Sequence, residues 1–343
     1  MKDAKQTRFL LVTVALWMVL ASCSQQDTFY SNVFRSDVFS QLYSIDQYDF
    51  LWVMDNSDSM RDKRDYVKNR MSVFVQLLNG RKAIDYQMAI TTTDYFTNAG
   101  KLVKSPEDLE VVSSNSNDPM GDFGRLVNAI DDSPTSFWEQ GLESSMKTIG
   151  TYGSKFMRAG VPLIVIFLAD EQDYSCDPTK SGTPDNRGCY GVEPEHNPLY
   201  VPYSMDRYIN FFKDVQKARE IDISVFPIVG MSSSTCTLAS LGTRYQSLEE
   251  GLEGGATGSI CNAELADSMD TIARMIADRG IRFPLSSNAT GTGVRVFVNG
   301  VQIPYSSENG FVYEAETNSI VFTGNAIPIN GAIIEVSYSE KQN

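Results

Sequence analysis

Apolar positions along this chain follow two different periods, one on each side of about residue 280. A nearly all-apolar stretch at 50–54 is followed by Val67, Met71, Phe74 and Leu78, which recur at i, i+4, i+7 and i+11 and so mark one face of a helix. The same exchange predicts strands over 86–92, 162–169 and 223–229, a weak strand at 101–103, and helices over 123–130, 137–149, 205–218 and 265–277. The run Pro162-Leu163-Ile164-Val165-Ile166-Phe167-Leu168-Ala169 is the most apolar of these, the pattern of a central parallel strand covered on both faces. Strand and helix in alternation predict an α/β fold, a doubly wound and mostly parallel sheet. Beyond Gly280 the period falls to two, with strands expected at 294–298, 301–305, 310–314, 319–323 and 332–338. Asn299-Gly300 between the first two is a strong hairpin signal.

The N-terminal residues read differently. Lys2, Lys5 and Arg8 precede an apolar run over 9–21 that is too short for a permanent membrane span, and Leu20-Ala21-Ser22-Cys23 follows it. That ending resembles a bacterial lipobox, which implies cleavage after residue 22 and lipid on Cys23. Ser24, rather than aspartate, after Cys23 implies by the same family rule a bacterial cell envelope location at the outer membrane. The expected division is then 1–22 signal peptide, 23–45 a polar tether, 46–280 the α/β domain, and 281–343 a small β-rich module. That module is about 60 residues long, near the lower limit for folding alone, and is expected to pack on its neighbour.

Charge and cysteines narrow the function. Loss of residues 1–22 removes three positive charges and one negative, taking the net charge from −14 to −16. A surface of that sign repels nucleic-acid phosphates and attracts divalent cations. With Cys23 committed to lipid, Cys176, Cys189, Cys236 and Cys261 remain, an even set suited to an oxidising compartment. Of the three pairings, Cys176 with Cys189 and Cys236 with Cys261 would each staple a segment that lacks a core. The zinc alternative has no C-x-x-C spacing, and the sole histidine, His196, lies in a Pro-rich loop.

Three segments carry oxygen ligands at the expected ends of strands and helices. Asp55, Ser57 and Ser59 alternate directly after the first strand, a set that suits a hard cation and equally suits a helix cap. Thr135 and Ser136 precede a helix. Asp170, Glu171 and Asp173 follow the most apolar strand. Each alone has a bland reading as a cap or a solvated loop, but sheets of this class place their sites at that edge.

Asp55-x-Ser57-x-Ser59, the hydroxyl ahead of Glu139-Gln140-Gly141-Leu142, and Leu168-Ala169-Asp170-Glu171 together resemble the von Willebrand factor type A (VWA) domain and its metal-ion-dependent adhesion site (MIDAS), over about 48–278. The resemblance implies one divalent ion held by Asp55, Ser57, Ser59, Ser136 and Asp170. Mg2+ is the first expectation, with Ca2+ or Mn2+ as alternatives. Counting back from Gly141 puts Ser136, not Thr135, at the family's threonine position. Glu171 stands where glycine is common, so Thr135, Glu171 and Asp173 are possible additional ligands. An open position on the ion would bind an acidic oxygen of a protein or glycan partner, and the helix at 265–277 would be the element that moves in relatives that switch.

The function expected is therefore metal-dependent adhesion or interaction by a lipid-anchored envelope protein. A non-catalytic assembly scaffold is the first alternative. A metal-dependent hydrolase is the second, and it lacks machinery: no G-x-S-x-G turn or phosphate loop is present, and His196 is the only histidine.

Overall fold

The computed structural model describes residues 33–41, 46–80, 83–132, 139–177, 200–231, 239–252, 254–261, 264–329 and 331–341. The first element, β1 (Phe34–Ser40), precedes the α/β region. β2 (Gln47–Met54) leads through a 3-10 turn at Asp58–Met60 into α1 (Arg61–Leu78), then β3 (Asp85–Thr92) and the single turn α2 (Tyr95–Asn98). β4 (Val111–Ser113), α3 (Pro119–Asn128), α4 (Gly141–Phe156) and β5 (Leu163–Leu168) follow. α5 (Met205–Arg219), β6 (Ile223–Val229), α6 (Thr243–Glu250), β7 (Gly258–Ser259) and α7 (Leu265–Ala277) complete the region.

These strands form one sheet in the order β4-β3-β2-β5-β6-β7, parallel except for β4. Alternate residues of β2 bury into separate layers. Phe50, Trp52 and Met54 meet Val67, Met71, Phe74 and Leu78 of α1 together with Phe123 and Met269, while Leu51 and Val53 meet Leu142, Phe212 and Tyr245. Burial on both faces is why the strand reads as a continuous apolar run. The four α1 side chains are fully or almost fully buried, each contributing ~1.5–3 kcal/mol. The expected α/β fold, a doubly wound and mostly parallel sheet with a C-terminal β module, is the fold observed.

Two expectations need correction. Residues 101–103 do not form a strand. The Val103 N–H donates to the Ile90 carbonyl at 2.8 Å and the Thr91 hydroxyl to the Lys101 carbonyl at 2.9 Å, so the segment only leans on β3. The edge ladder belongs to β4, in register Met88↔Val112.

The second correction concerns the tether at 23–45, because Phe34–Ser40 is a strand. β1 pairs antiparallel with β13 (Ile333–Ser339) from Phe34↔Ser339 to Ser40↔Ile333. It completes a sheet β1-β13-β9-β10, with β9 (Arg295–Val298) and β10 (Val301–Ile303). A second sheet, β11-β12-β8, consists of β8 (Arg282–Pro284), β11 (Gly310–Glu314) and β12 (Ser319–Thr323). Phe283, Phe311, Phe322, Val296, Ile334 and Val336 share the core of this module, and the Phe39 ring lies 5.3 Å from that of Phe283. Asp37 accepts bonds from the Ser286 N–H (2.9 Å), the Ser286 hydroxyl (2.6 Å) and the Tyr338 hydroxyl (2.9 Å). The β module thus draws on both sides of the α/β domain in sequence. Its hairpin turn is as expected, with φ of 49° at Asn299 and 78° at Gly300.

Candidate metal centre

β2 and β5 are neighbours, and the chain leaves them toward opposite faces, to α1 and to α5. Their carboxyl ends flank the point where the winding reverses. Asp55 follows β2, Asp170 follows β5, and the Asp55 N–H donates to the Leu168 carbonyl at 2.9 Å. Asp55 is fully buried and Asp170 is 6% exposed. Asp55 Oδ1 accepts from the Ser57 N–H at 2.7 Å, while Asp55 Oδ2 and Asp170 Oδ1 are buried with no hydrogen-bond donor. The Ser57 and Ser59 hydroxyls lie 2.9 Å apart.

The loop is held from beneath by Arg64, itself 4% exposed. Its guanidinium donates to the Asp55 carbonyl at 2.6 Å and the Ser57 carbonyl at 3.0 Å, and pairs with Asp132 on the far side. Asn56 Nδ2 reaches the Asp131 carbonyl at 3.0 Å. Arg64 was legible in principle. It lies three residues before Val67, on the apolar face of α1, where an arginine needs a reason to be buried.

Glu139 is the residue that sequence reasoning missed. It is fully buried and accepts a bond from the Thr93 hydroxyl at the end of β3. The flanking backbone is pinned, the Gln140 N–H to the Thr93 carbonyl at 2.9 Å and the Tyr174 N–H to the Glu139 carbonyl at 2.6 Å. The charge of Asp55 bears on both Glu139 and Asp170. Nothing in Trp138-Glu139-Gln140-Gly141 distinguishes this acid from a solvated one, because its burial depends on β3 and on the loop carrying Tyr174.

Burial and mutual repulsion set the protonation of this group. Burial pushes Asp55 up, against the pull of the Ser57 bonds and Arg64. Glu139 is driven well above the usual carboxylate range by burial and then by the charge of Asp55. Asp170 is pushed up to about 6 by burial and by Asp55, with the Ser59 hydroxyl and Lys63 pulling the other way. Carboxyls crowded into a dry site without enough cationic partners hold their protons more tightly than exposed ones.

Asp173 is placed otherwise. Its Oδ1 accepts from the Ser175 N–H (3.1 Å) and Arg244 (3.2 Å), and its Oδ2 from the Leu142 N–H (2.9 Å) and the Ser175 hydroxyl (3.0 Å). With both oxygens engaged in holding the first turn of α4, Asp173 is not a spare ligand, contrary to the sequence expectation. Glu171 is half-buried, and its charge adds to that around Glu139. Ser136, Thr135, Cys23, Cys189 and Cys236 lie outside the described residues, and Cys176 and Cys261 are each disulfide-bonded.

Among the described residues no three His, Cys, Asp or Glu side chains are set around one point as ligands. The edge instead offers two aspartates with unpaired oxygens and two serine hydroxyls. That donor set fits a hard, oxygen-seeking dication, whose charge the orphaned oxygens would meet. No helix among the described residues is long and apolar enough to cross a membrane.

No family model and no curated protein matches the chain. Among solved structures it is similar to the pilus adhesin SpaC from Lactobacillus rhamnosus GG in its open conformation. There the identity is 10% and the TM-score 0.40, over 90% of this chain and 40% of the adhesin. The PilB minor pilin from Streptococcus sanguinis matches at 13% identity and TM-score 0.38, over 67% of this chain and 61% of the pilin. The manganese-loaded TRAP protein of Plasmodium vivax matches at 12% identity and TM-score 0.30, over 80% of this chain and 92% of that protein. The chain spans about two fifths of the length of the pilus adhesin.

Proposed function

We propose that this chain is a VWA-type interaction protein of the bacterial envelope that grips a protein or glycan partner through a divalent ion at the carboxyl ends of β2 and β5. The observation that carries the reading is the pair of buried carboxylate oxygens, Asp55 Oδ2 and Asp170 Oδ1, left without donors on either side of the winding switch. Asp55, Ser57, Ser59 and Asp170 would hold the ion, with Ser136 as the fifth ligand that the resemblance supplies. The ion would contribute Lewis acidity toward a partner's oxygen. The chain's own residues set the site: Arg64 fixes the loop carbonyls, and the Ser57 N–H orients Asp55. The reading assigns no turnover. Lipid on Cys23 would keep the domain at the outer membrane, and Mg2+ is the first candidate ion.

Calorimetric titration of the full chain with Mg2+, Ca2+ and Mn2+ tests it. Saturable binding to wild type, abolished by Asp55→Ala, is the expected result. Absence of binding by wild type to all three ions would overturn the proposal.

A further inference from the structure

β1 is an edge strand of the β1-β13-β9-β10 sheet, and among the described residues no strand pairs with its outer side. The Gln41 N–H donates to the Ala332 carbonyl and the Glu340 N–H to the Val33 carbonyl, each at 2.8 Å. An antiparallel ladder alternates, so Arg35, Asp37 and Phe39 turn their backbone groups to β13, and those of Phe34, Ser36, Val38 and Ser40 point outward. An open edge of seven residues is a template for another strand. Beside it Phe34 is 75% and Val38 65% exposed, with Ser36 exposed between them on the same face of the sheet.

We propose that a second copy of this chain occupies this edge, its β1 antiparallel to the first about a twofold axis at Ser36. Outward backbone groups must meet outward ones, which restricts the pairing to registers that set even-numbered residues opposite even-numbered ones. Charge selects among these. An axis at Arg35 sets two arginines opposite each other, an axis at Asp37 sets two aspartates, and an axis at Val38 leaves Phe34 and Arg35 beyond the ladder. The axis at Ser36 sets Arg35 against Asp37 of the second copy and Phe34 against its Val38, each of them twice by symmetry. The Asp37 carboxylate is bonded by neutral donors alone, Ser286 and Tyr338, so its charge still bears on a facing arginine. Pairing joins two four-stranded sheets into one and closes the β1 edge of both copies. A ladder of this length is a small interface, so the dimer is a weak one.

Ser36→Cys tests the register. Side chains directly opposite on an antiparallel pair lie within disulfide reach, so mild oxidation of the full chain should give a covalent dimer whose peptide map joins the two introduced sulfurs to each other. Ser40→Cys should give none, because its two copies would stand roughly 26 Å apart along the ladder. In sedimentation velocity the full chain should pass from monomer to dimer as its concentration rises, and Ser36→Pro and Arg35→Asp should each weaken that association at least about tenfold. The proline removes an outward N–H and none that serves β13, while Arg35→Asp leaves the backbone unchanged and guards against a proline variant that does not fold. Association retained by either variant would overturn the inference. So would crosslinking of Ser40→Cys as readily as Ser36→Cys, or a Ser36→Cys chain that oxidises without joining those two sulfurs.

Discussion

Strand β2 has a buried aspartate near each end, and the two are treated in opposite ways. Asp49 and Asp55 are both closed to solvent. Asp49 accepts from the Arg158 N–H at 2.6 Å and from its guanidinium at 2.7 Å, and the same guanidinium continues to Asp85 at 2.7 Å. Burial still pushes the Asp49 carboxyl up, but Arg158 pulls it back. At the other end Arg64 is far closer in sequence and more deeply buried than Arg158, yet it gives its donors to the carbonyls of Asp55 and Ser57 and to Asp132, not to the Asp55 carboxyl. Where the charge is structural, the chain supplies its own cation. Where it is not, the chain holds the backbone in place and leaves Asp55 Oδ2 and Asp170 Oδ1 without a donor.

The largest test of this contrast is Arg158→Ala. It strands Asp49 as a buried charge and should cost ~3–5 kcal/mol in denaturant unfolding. A loss below about 1 kcal/mol would mean that the two ends are alike after all. Asp55→Asn should behave in the opposite sense. In chelator its stability should equal or exceed that of wild type, while the ion-induced gain disappears; wild type gains ~2.7 kcal/mol at a hundredfold excess of metal over its dissociation constant. Differential scanning fluorimetry reads both arms.

The pH dependence sharpens the contrast further. The folded pKa of Asp170, about 6, lies above the ordinary ~3.9 of an unfolded aspartate. Its contribution to stability is therefore complete below about pH 4 and lost as pH rises through about 6. Relative to Asp170→Asn, chelated wild type should lose melting temperature between about pH 4 and pH 6, and saturating metal should erase that difference. The smallest effect belongs to Arg61→Ala. Its pairing with Asp58 at 3.0 Å and with Asp132 involves a side chain that is 61% exposed, so the change should cost at most ~1 kcal/mol and leave metal affinity unchanged.

What was legible in the sequence follows from the range of the interactions involved. β6, α7, β11 and β12 fall at 223–229, 265–277, 310–314 and 319–323 as read from period alone, because local patterning fixes them. β1 was not legible. Phe34-Arg35-Ser36-Asp37-Val38-Phe39-Ser40 mixes polar and apolar residues on both faces and becomes a strand only through β13, some three hundred residues onward. α6 and β7 were hidden for a related reason, since the glycines around 251–255 read as loop and conceal two short flanking elements. At the site, Asp55 and Asp170 could be read because strand ends announce themselves. Glu139 and Asp173 read alike as acids in the sequence, and only the folded contacts show that Thr93 bonds the one while Arg244 and Ser175 bond the other.

The crossings between the two parts of the molecule set its polarity. The chain passes from β1 into the amino end of β2, and returns from the far end of α7 into β8, where Arg282 pairs with Asp278 at 2.9 Å. Both crossings lie at the pole of the sheet that holds Asp49 and Arg158, opposite the pole that holds Asp55 and Asp170. Eight residues of β2 at about 3.3 Å each make the sheet a strut of roughly 26 Å between them. The acidic ends of β2 and β5 therefore stand a full strand length from the point where α7 hands the chain to β8.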